Sequence, residues 1–503
     1  MSSGSDEQDF VVVGGNLYDT TPPPPIPTPI VPPEPAPIDD HPDVPSVGQT
    51  DPVKNNLFLD LSIAALNTPQ FVPNDPLYIS QWHISMMGNM EEVWNEYTGD
   101  GVTVGVYDDG FEFTHADLAA NYNASAHLVH AGETFDPTPV QQAPDDYGNV
   151  DAHGTAVGGL IGAVGDNSIG VTGGGFEATL TGVNFLVDVQ SFRSSDTSTS
   201  YWNRYDAAFA WAGNFDIMNN SWGSTPLYSQ DATTSYSKYI MQENFEDISA
   251  TGRGGLGTLI VHATGNDNAN ANGDGTNAFR QTISIAATDQ NGDAENYTNW
   301  GSGVLVAAPA GAVTTDLSGS NGYNGSSGTA GDYADDFNGT SAATPVTSGV
   351  LSLVLEANDN LGWRDVHNIL AESAALTGSN YGAPATNYED SSWGNTGASN
   401  WNGGGHAFHL SYGYGLVNPL AAVRMAEAWG DFYSAPYTSA NEANASGDYT
   451  GSSVSIPDNS STNLDVVVSS DIEVETALVT VELSHTDSEE LQLSLVTPNG
   501  AEI

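Results

Sequence analysis

Cysteine is absent from all 503 residues, which excludes disulfides and thiolate-bound metals. Basic residues are nearly as scarce. Only 8 Lys and Arg face 63 Asp and Glu, a formal charge of −55, and lysine occurs only at Lys54 and Lys238. Such a chain repels phosphate, so charge-driven binding to nucleic acid or an anionic membrane is excluded. No apolar run reaches the roughly 18 residues of a membrane-spanning helix. The amino-terminal "MSSGSDEQDFVVVGGN" has no basic residue ahead of its apolar core, and that core is too short for a secretory leader. An export signal would have to be of another kind, or lie outside this sequence.

The acid itself has two compatible explanations. High salt screens self-repulsion and favours acidic surfaces, and carboxylates coordinate calcium. Residues 20–47, "TTPPPPIPTPIVPPEPAPIDDHPDVPSV", are too proline-dense to build a core and read as an extended linker. Residues 1–70 are therefore expected to be a disordered leading segment. From 71 to 430 short apolar runs alternate with helical patterns. "GVTVGVYDDG", "GTLIVHATGNDN", "RQTISIAATD" and "GVLVAAPAG" suit strands buried on both faces, whereas "HGTAVGGLIGAVG" and "GWRDVHNILAESAAL" suit helices. This alternation predicts an α/β fold, a mainly parallel sheet with helices on both sides. In such sheets the working residues lie beyond the carboxyl ends of the strands. After Trp429 the pattern turns to period two, predicting an all-β segment over 440–503 that stops at a strand–turn signal, like the first part of a second domain.

The stretch "DDFNGTSAATPVTSGVLSLVLEAN" places Ser341 where a glycine-bearing loop enters a helix. Val346, Val350, Leu353 and Val354 follow at helical spacing, and Pro345 is expected in the first turn, where its missing N–H does no harm. A serine at such a junction usually caps the helix. Two other segment ends change that reading: Asp108 in "VGVYDDG" and His153 in "DAHGT". A serine hydroxyl becomes a nucleophile when a base takes its proton and an anion steadies the base. Asp, His, Ser is one of the chain orders in which such triads occur.

Together "DDG", "HGT" and "GTSAATP" resemble the subtilisin-like serine proteases, and the kexin/furin branch more closely, over roughly residues 74–430. The resemblance implies a subtilisin-like doubly wound fold and a serine endopeptidase. Asp108 would orient His153, His153 would act as general base and then acid, and Ser341 would attack the scissile carbonyl. "IVHATGNDN" matches the block that supplies an oxyanion-binding asparagine, here Asn266, and "NNSWGS" a substrate-binding strand, Ser221, Trp222 and Gly223. It also implies a calcium ion held by Asp75, Asp117, the Asn167 side chain and the Ile169 and Val171 carbonyls, an oxygen-only set that suits a hard cation.

Specificity divides the resemblance. Asp274 in "NGDGTN" matches the acid at the base of the first pocket, and Asp109 and Asp151 match acids near the second, which implies a preference for basic residues before the cut. Against this, the acid expected after "SWG" is replaced by Ser224, Thr225 and Pro226, and the region of Trp300 lacks the acid of the branch's second calcium site. A broad-specificity protease is the alternative, and a catalytically silent surface scaffold is a further one. The tail "VTVELSHTDSEELQLSLVTPNGAE" resembles the start of the P domain of kexin-type proteases; no propeptide-like α/β pattern is seen in 1–70. The resemblance implies a secreted or cell-surface protein of bacterial type, acting as a monomer on protein or peptide substrates.

Overall fold

A computed structural model of the chain describes residues 71–141, 150–191, 197–225, 235–386, 388–395, 406–456, 460–468, 473–483 and 493–496, and the backbone of 10–20. The first strand, β1 (Phe10–Thr20), belongs to a peripheral sheet. The central sheet comprises β2 (Thr103–Asp108), β3 (Thr179–Asn184), β4 (Ile217–Asn220), β5 (Leu259–Ala263), β6 (Thr282–Thr288) and β7 (Val304–Pro309). These six strands are parallel and ordered β3-β2-β4-β5-β6-β7. Successive side chains of the strands feed two different cores. Val104, Val106, Leu259 and Val261 pack on one face, Tyr107, Met218 and Ile260 on the other. That is why their sequences read as unbroken apolar runs.

Helices cover both faces. On one lie α1 (His153–Gly162), α4 (Thr340–Ala357), α5 (Trp363–Ser373) and α6 (Pro419–Phe432); on the other lie α2 (Ser198–Trp211) and α3 (Tyr236–Thr251). The chain leaves β2 for β3 on one side and returns across it to β4 on the other. Connections therefore part beyond the carboxyl ends of β2 and β4, which opens a crevice there. Asp108 ends β2 and Ser221 follows β4.

Two local features set the site. α1 is held by a hairpin of β8 (Ala312–Thr315) and β9 (Tyr333–Phe337), from which the Thr314 and Thr315 hydroxyls donate to the Ala156 and Thr155 carbonyls at 2.7 Å each. α4 is capped by Gly339 at φ 88°, ψ 170°, a left-handed conformation that L side chains resist. The cap is thus Gly339, and Ser341 is the second residue of the helix, within its first turn. Pro345 lies in the second turn rather than the first, so it cannot donate the usual hydrogen bond to the Ser341 carbonyl four residues back.

The carboxy-terminal segment forms β10 (Glu442–Gly447) and β11 (Glu473–Leu483), which pair antiparallel with β1 on either side in the order β10-β1-β11. Phe10–Thr20 lies within the leading segment expected to be disordered; here its β-branched run forms the middle strand between two partners. A second sheet to complete a sandwich is not found among the described residues. Two of the few arginines tie this sheet to the α/β body, Arg280 to Glu442 at 2.5 Å and Arg364 to Glu475 at 2.8 Å. The proline-rich stretch 21–47 lies outside the described residues.

Candidate active site

Asp108 is fully buried at the end of β2, and its Oδ1 lies 2.8 Å from His153 Nδ1. The same oxygen accepts from the Asp109 N–H at 2.8 Å. Glycine after His153 is a steric demand, because a Cβ on Gly154 would stand 2.1 Å from the Gly110 carbonyl and 2.7 Å from Asp108 Cβ. Burial alone would lower the imidazolium's pKa, but the charge and hydrogen bond of Asp108, with Asp109 adding, overturn this and raise His153 to about 9. The ring keeps a quarter of its surface open and packs edge-on against Phe337 at 5.1 Å.

Phe337, which the imidazole touches, leads through Gly339 into Ser341. Ser341 Oγ donates to the Ser221 carbonyl at 3.1 Å. Ser221 is buried, and its own hydroxyl accepts from Asn219 Nδ2 at 3.0 Å, while Asn219 Oδ1 accepts from Ser348 of α4 at 2.8 Å. The strand after β4 and the nucleophile's helix are thereby locked in register. Asn266 follows β5. Its Oδ1 accepts from both the N–H and the hydroxyl of Thr340 at 2.9 Å each, which leaves the Nδ2 end, close to Gly339, as the donor. Asn299 holds the loop by accepting from the Asp267 and Ala269 N–H groups at 2.9 and 3.0 Å.

The structure thus pairs Asp108 with His153 and sets Ser341 on Ser221 and Asn266 on Thr340. Trp222 follows Ser221, anchored by its Nε1 on the Tyr107 carbonyl at 2.8 Å and stacked on Phe185 at 5.1 Å. The three acids expected in pockets all have internal duties. Asp109 accepts from the N–H groups of His153 and Gly154 at 3.2 and 2.9 Å, as a cap for α1. Burial first, then the Asp108 charge, raises it to about 7. Asp151 accepts from the Gln141 N–H at 2.7 Å. Asp274 is buried beneath Gly223 and pairs with Lys238 at 2.5 Å. Lys238, Asn219, Thr340 and Phe337 were not singled out from sequence; the isolated lysine in so acidic a chain was the available signal for the first.

The proposed calcium ligands also converge. Buried Asp75 and Asp117 meet the loop after α1. Asp75 accepts from the N–H groups of Asp166, Asn167 and Ser168 at 2.8, 3.0 and 3.1 Å. Asp117 accepts from Asn167 Nδ2 at 2.7 Å and the Val171 N–H at 2.9 Å. The Leu77 N–H donates to the Gly170 carbonyl at 2.8 Å, pinning the segment near Asp75 to the same loop. The carbonyls of Ile169 and of buried Val171 accept no hydrogen bond from a described residue. Burial, and then the neighbouring Asp75 charge, raise Asp117 to about 6. Two close carboxylates with orphaned carbonyls beside them are a donor set that a hard cation fits.

Known proteins share this architecture. The chain is 31% identical over 378 residues to neuroendocrine convertase 2 of Homo sapiens, covering 71% of this chain and 53% of that protein. It is 30% identical over 378 residues to Furin-1 of Xenopus laevis, covering 71% and 42%. The chain thus spans about half the length of the curated relatives it matches. Among solved structures, a serine protease of Aeromonas sobria superposes with a TM-score of 0.57 at 26% identity, over 71% of this chain and 68% of that one. The same protease has been solved in complex with a chaperone, ORF2, and that form gives a TM-score of 0.58 at 25% identity. A profile described as the subtilase family matches residues 99–415, a span that runs from before Asp108 to beyond Ser341. On that span and the crevice it encloses, the chain belongs to the subtilase family.

Proposed function

We propose that the chain is a serine endopeptidase that hydrolyses peptide bonds through an acyl-enzyme on Ser341. The observation that carries this reading is the 2.8 Å contact of Asp108 with His153 Nδ1, on a ring packed against the segment that delivers Ser341. With Nδ1 bound to the carboxylate, the proton stays on that nitrogen and Nε2 is left as the base.

Ser341 Oγ rests on the Ser221 carbonyl and must turn to His153 Nε2 to react. Nε2 then takes the hydroxyl proton as Oγ adds to the carbonyl carbon. The developing oxyanion is met by Asn266 Nδ2, whose amide is oriented by Thr340, and by the Ser341 N–H at the positive end of α4. Protonated His153 next delivers its proton to the leaving amine, and the same steps with water release the acid. The Ser221–Gly223 segment supports the reading as a place for the substrate backbone, since it borders the nucleophile.

Calcium is the cofactor this reading implies. Asp75, Asp117, Asn167 and the carbonyls of Ile169 and Val171 would hold it, and its charge would neutralise two buried carboxylates and stiffen the loop after α1. A secreted or cell-surface setting goes with a protease of this kind. No helix among the described residues is long and apolar enough to cross a membrane.

A fluorophosphonate probe tests the reading. Labelling at Ser341 that disappears in Ser341→Ala is expected. A folded chain that never labels would instead be the silent scaffold.

A further inference from the structure

Lys238 is one of two lysines in the chain, and it is buried to 3% exposure at the start of α3 against a carboxylate of 0% exposure. Its ammonium lies 2.5 Å from Asp274 Oδ1 and donates also to the Thr276 hydroxyl. Burying an ion pair is unfavourable unless every partner is satisfied. Here Asp274 is nearly saturated: Oδ1 takes Lys238 and the Thr276 N–H at 3.0 Å, and Oδ2 takes the Ser224 N–H at 2.9 Å.

The location gives the pair its meaning. Asp274 Oδ2 lies 3.5 Å from where a Gly223 Cβ would stand, and His262 Cε1 lies 3.7 Å from the same point. Two residues before Gly223, the Ser221 carbonyl receives the nucleophile's hydroxyl. A side chain that entered beside Ser341 and followed this segment to Gly223 would approach Asp274. His262 adds no charge, because burial, helped by the nearby Lys238 ammonium, lowers it to about 4.

We propose, resting on the proteolytic reading above, that Lys238 holds Asp274 from inside the protein in the place of a basic substrate side chain, so the enzyme cuts after uncharged residues. An arginine or lysine from the substrate would find the carboxylate already paired. It would meet a like charge there and lose its hydration without gaining a partner. Asp109 and Asp151, the acids matched near the second pocket, are themselves engaged by α1 and by Gln141.

The test uses the full chain and fluorogenic peptides that differ only in the residue before the cut: Arg, Lys, Ala, Leu or Phe. For the unaltered chain, kcat/KM for Arg and Lys should fall about tenfold or more below the best uncharged peptide. Lys238→Ala should raise the Arg-to-Leu ratio about tenfold, and Lys238→Ala/Asp274→Asn should abolish that rise. If Lys238→Ala does not fold, the ratio for the unaltered chain still decides. Preference of the unaltered chain for Arg or Lys overturns the inference, as does a folded Lys238→Ala with an unchanged ratio. A chain that labels with fluorophosphonate and prefers Arg leaves the protease reading standing. One that neither labels nor cleaves any peptide removes both.

Discussion

Asp109 caps the helix that begins at His153, its two oxygens receiving the N–H groups of His153 and Gly154 at 3.2 and 2.9 Å. The carboxylate beside the general base thus has a structural attachment and an electrostatic effect at once. Its charge adds to that of Asp108 in raising the His153 pKa to about 9.

The base works when neutral, so kcat/KM should climb as pH rises through the pKa of His153, which its neighbouring carboxylates raise to about 9. Asp109→Asn keeps a side chain that can cap the helix but removes one negative charge. Its alkaline-rising limb should move to lower pH in a pH–rate profile. An unmoved limb would mean that Asp109 does not bear on the base.

Asn266→Ala should lower kcat by about 10²–10³-fold with KM little changed, because its amide is worth most to the oxyanion. The Thr340 groups bound to Asn266 Oδ1 lose their acceptor in this variant. Asn266→Asp keeps that acceptor and removes the donor, so an equal loss of kcat in both variants assigns the effect to Nδ2. Steady-state kinetics on one peptide suffices.

EGTA should lower the melting temperature, and Asp117→Asn should weaken the response to added calcium by shrinking the site's charge. Differential scanning fluorimetry with and without calcium measures both. Indifference to chelation would remove the ion from Asp75 and Asp117.

At a formal charge of −55 the folded chain repels itself, and screening should relieve this. Melting temperature at fixed calcium should therefore rise with sodium chloride from low to molar concentration. A flat or falling curve would assign the excess acid to another cause.

The parallel sheet, its helices and the crevice-bearing strand ends were legible because each is encoded locally. Runs such as "GVTVGVYDDG" and "GTLIVHATGNDN" state by their apolar continuity that both faces are covered. Asp108, His153, Ser341 and Asn266 stand at segment ends whose motifs are short and distinctive. The cap at Gly339 was less legible, because a glycine and a serine two residues apart can both end a loop, and only the backbone angle separates them. Pairing of Phe10–Thr20 was not legible at all: a lone β-branched run names no partner, and its partners begin more than 400 residues away.

From the sequence alone came the family resemblance, the order of the triad and the acid excess, each a property of neighbouring residues or of composition. Tertiary structure alone decided what the acids do. Asp274 and Lys238 are separated by 36 residues, and Asp109 and His153 by 44. Whether a carboxylate faces a substrate, a helix end or an internal ammonium depends on which elements pack over it, and no local pattern carries that distance.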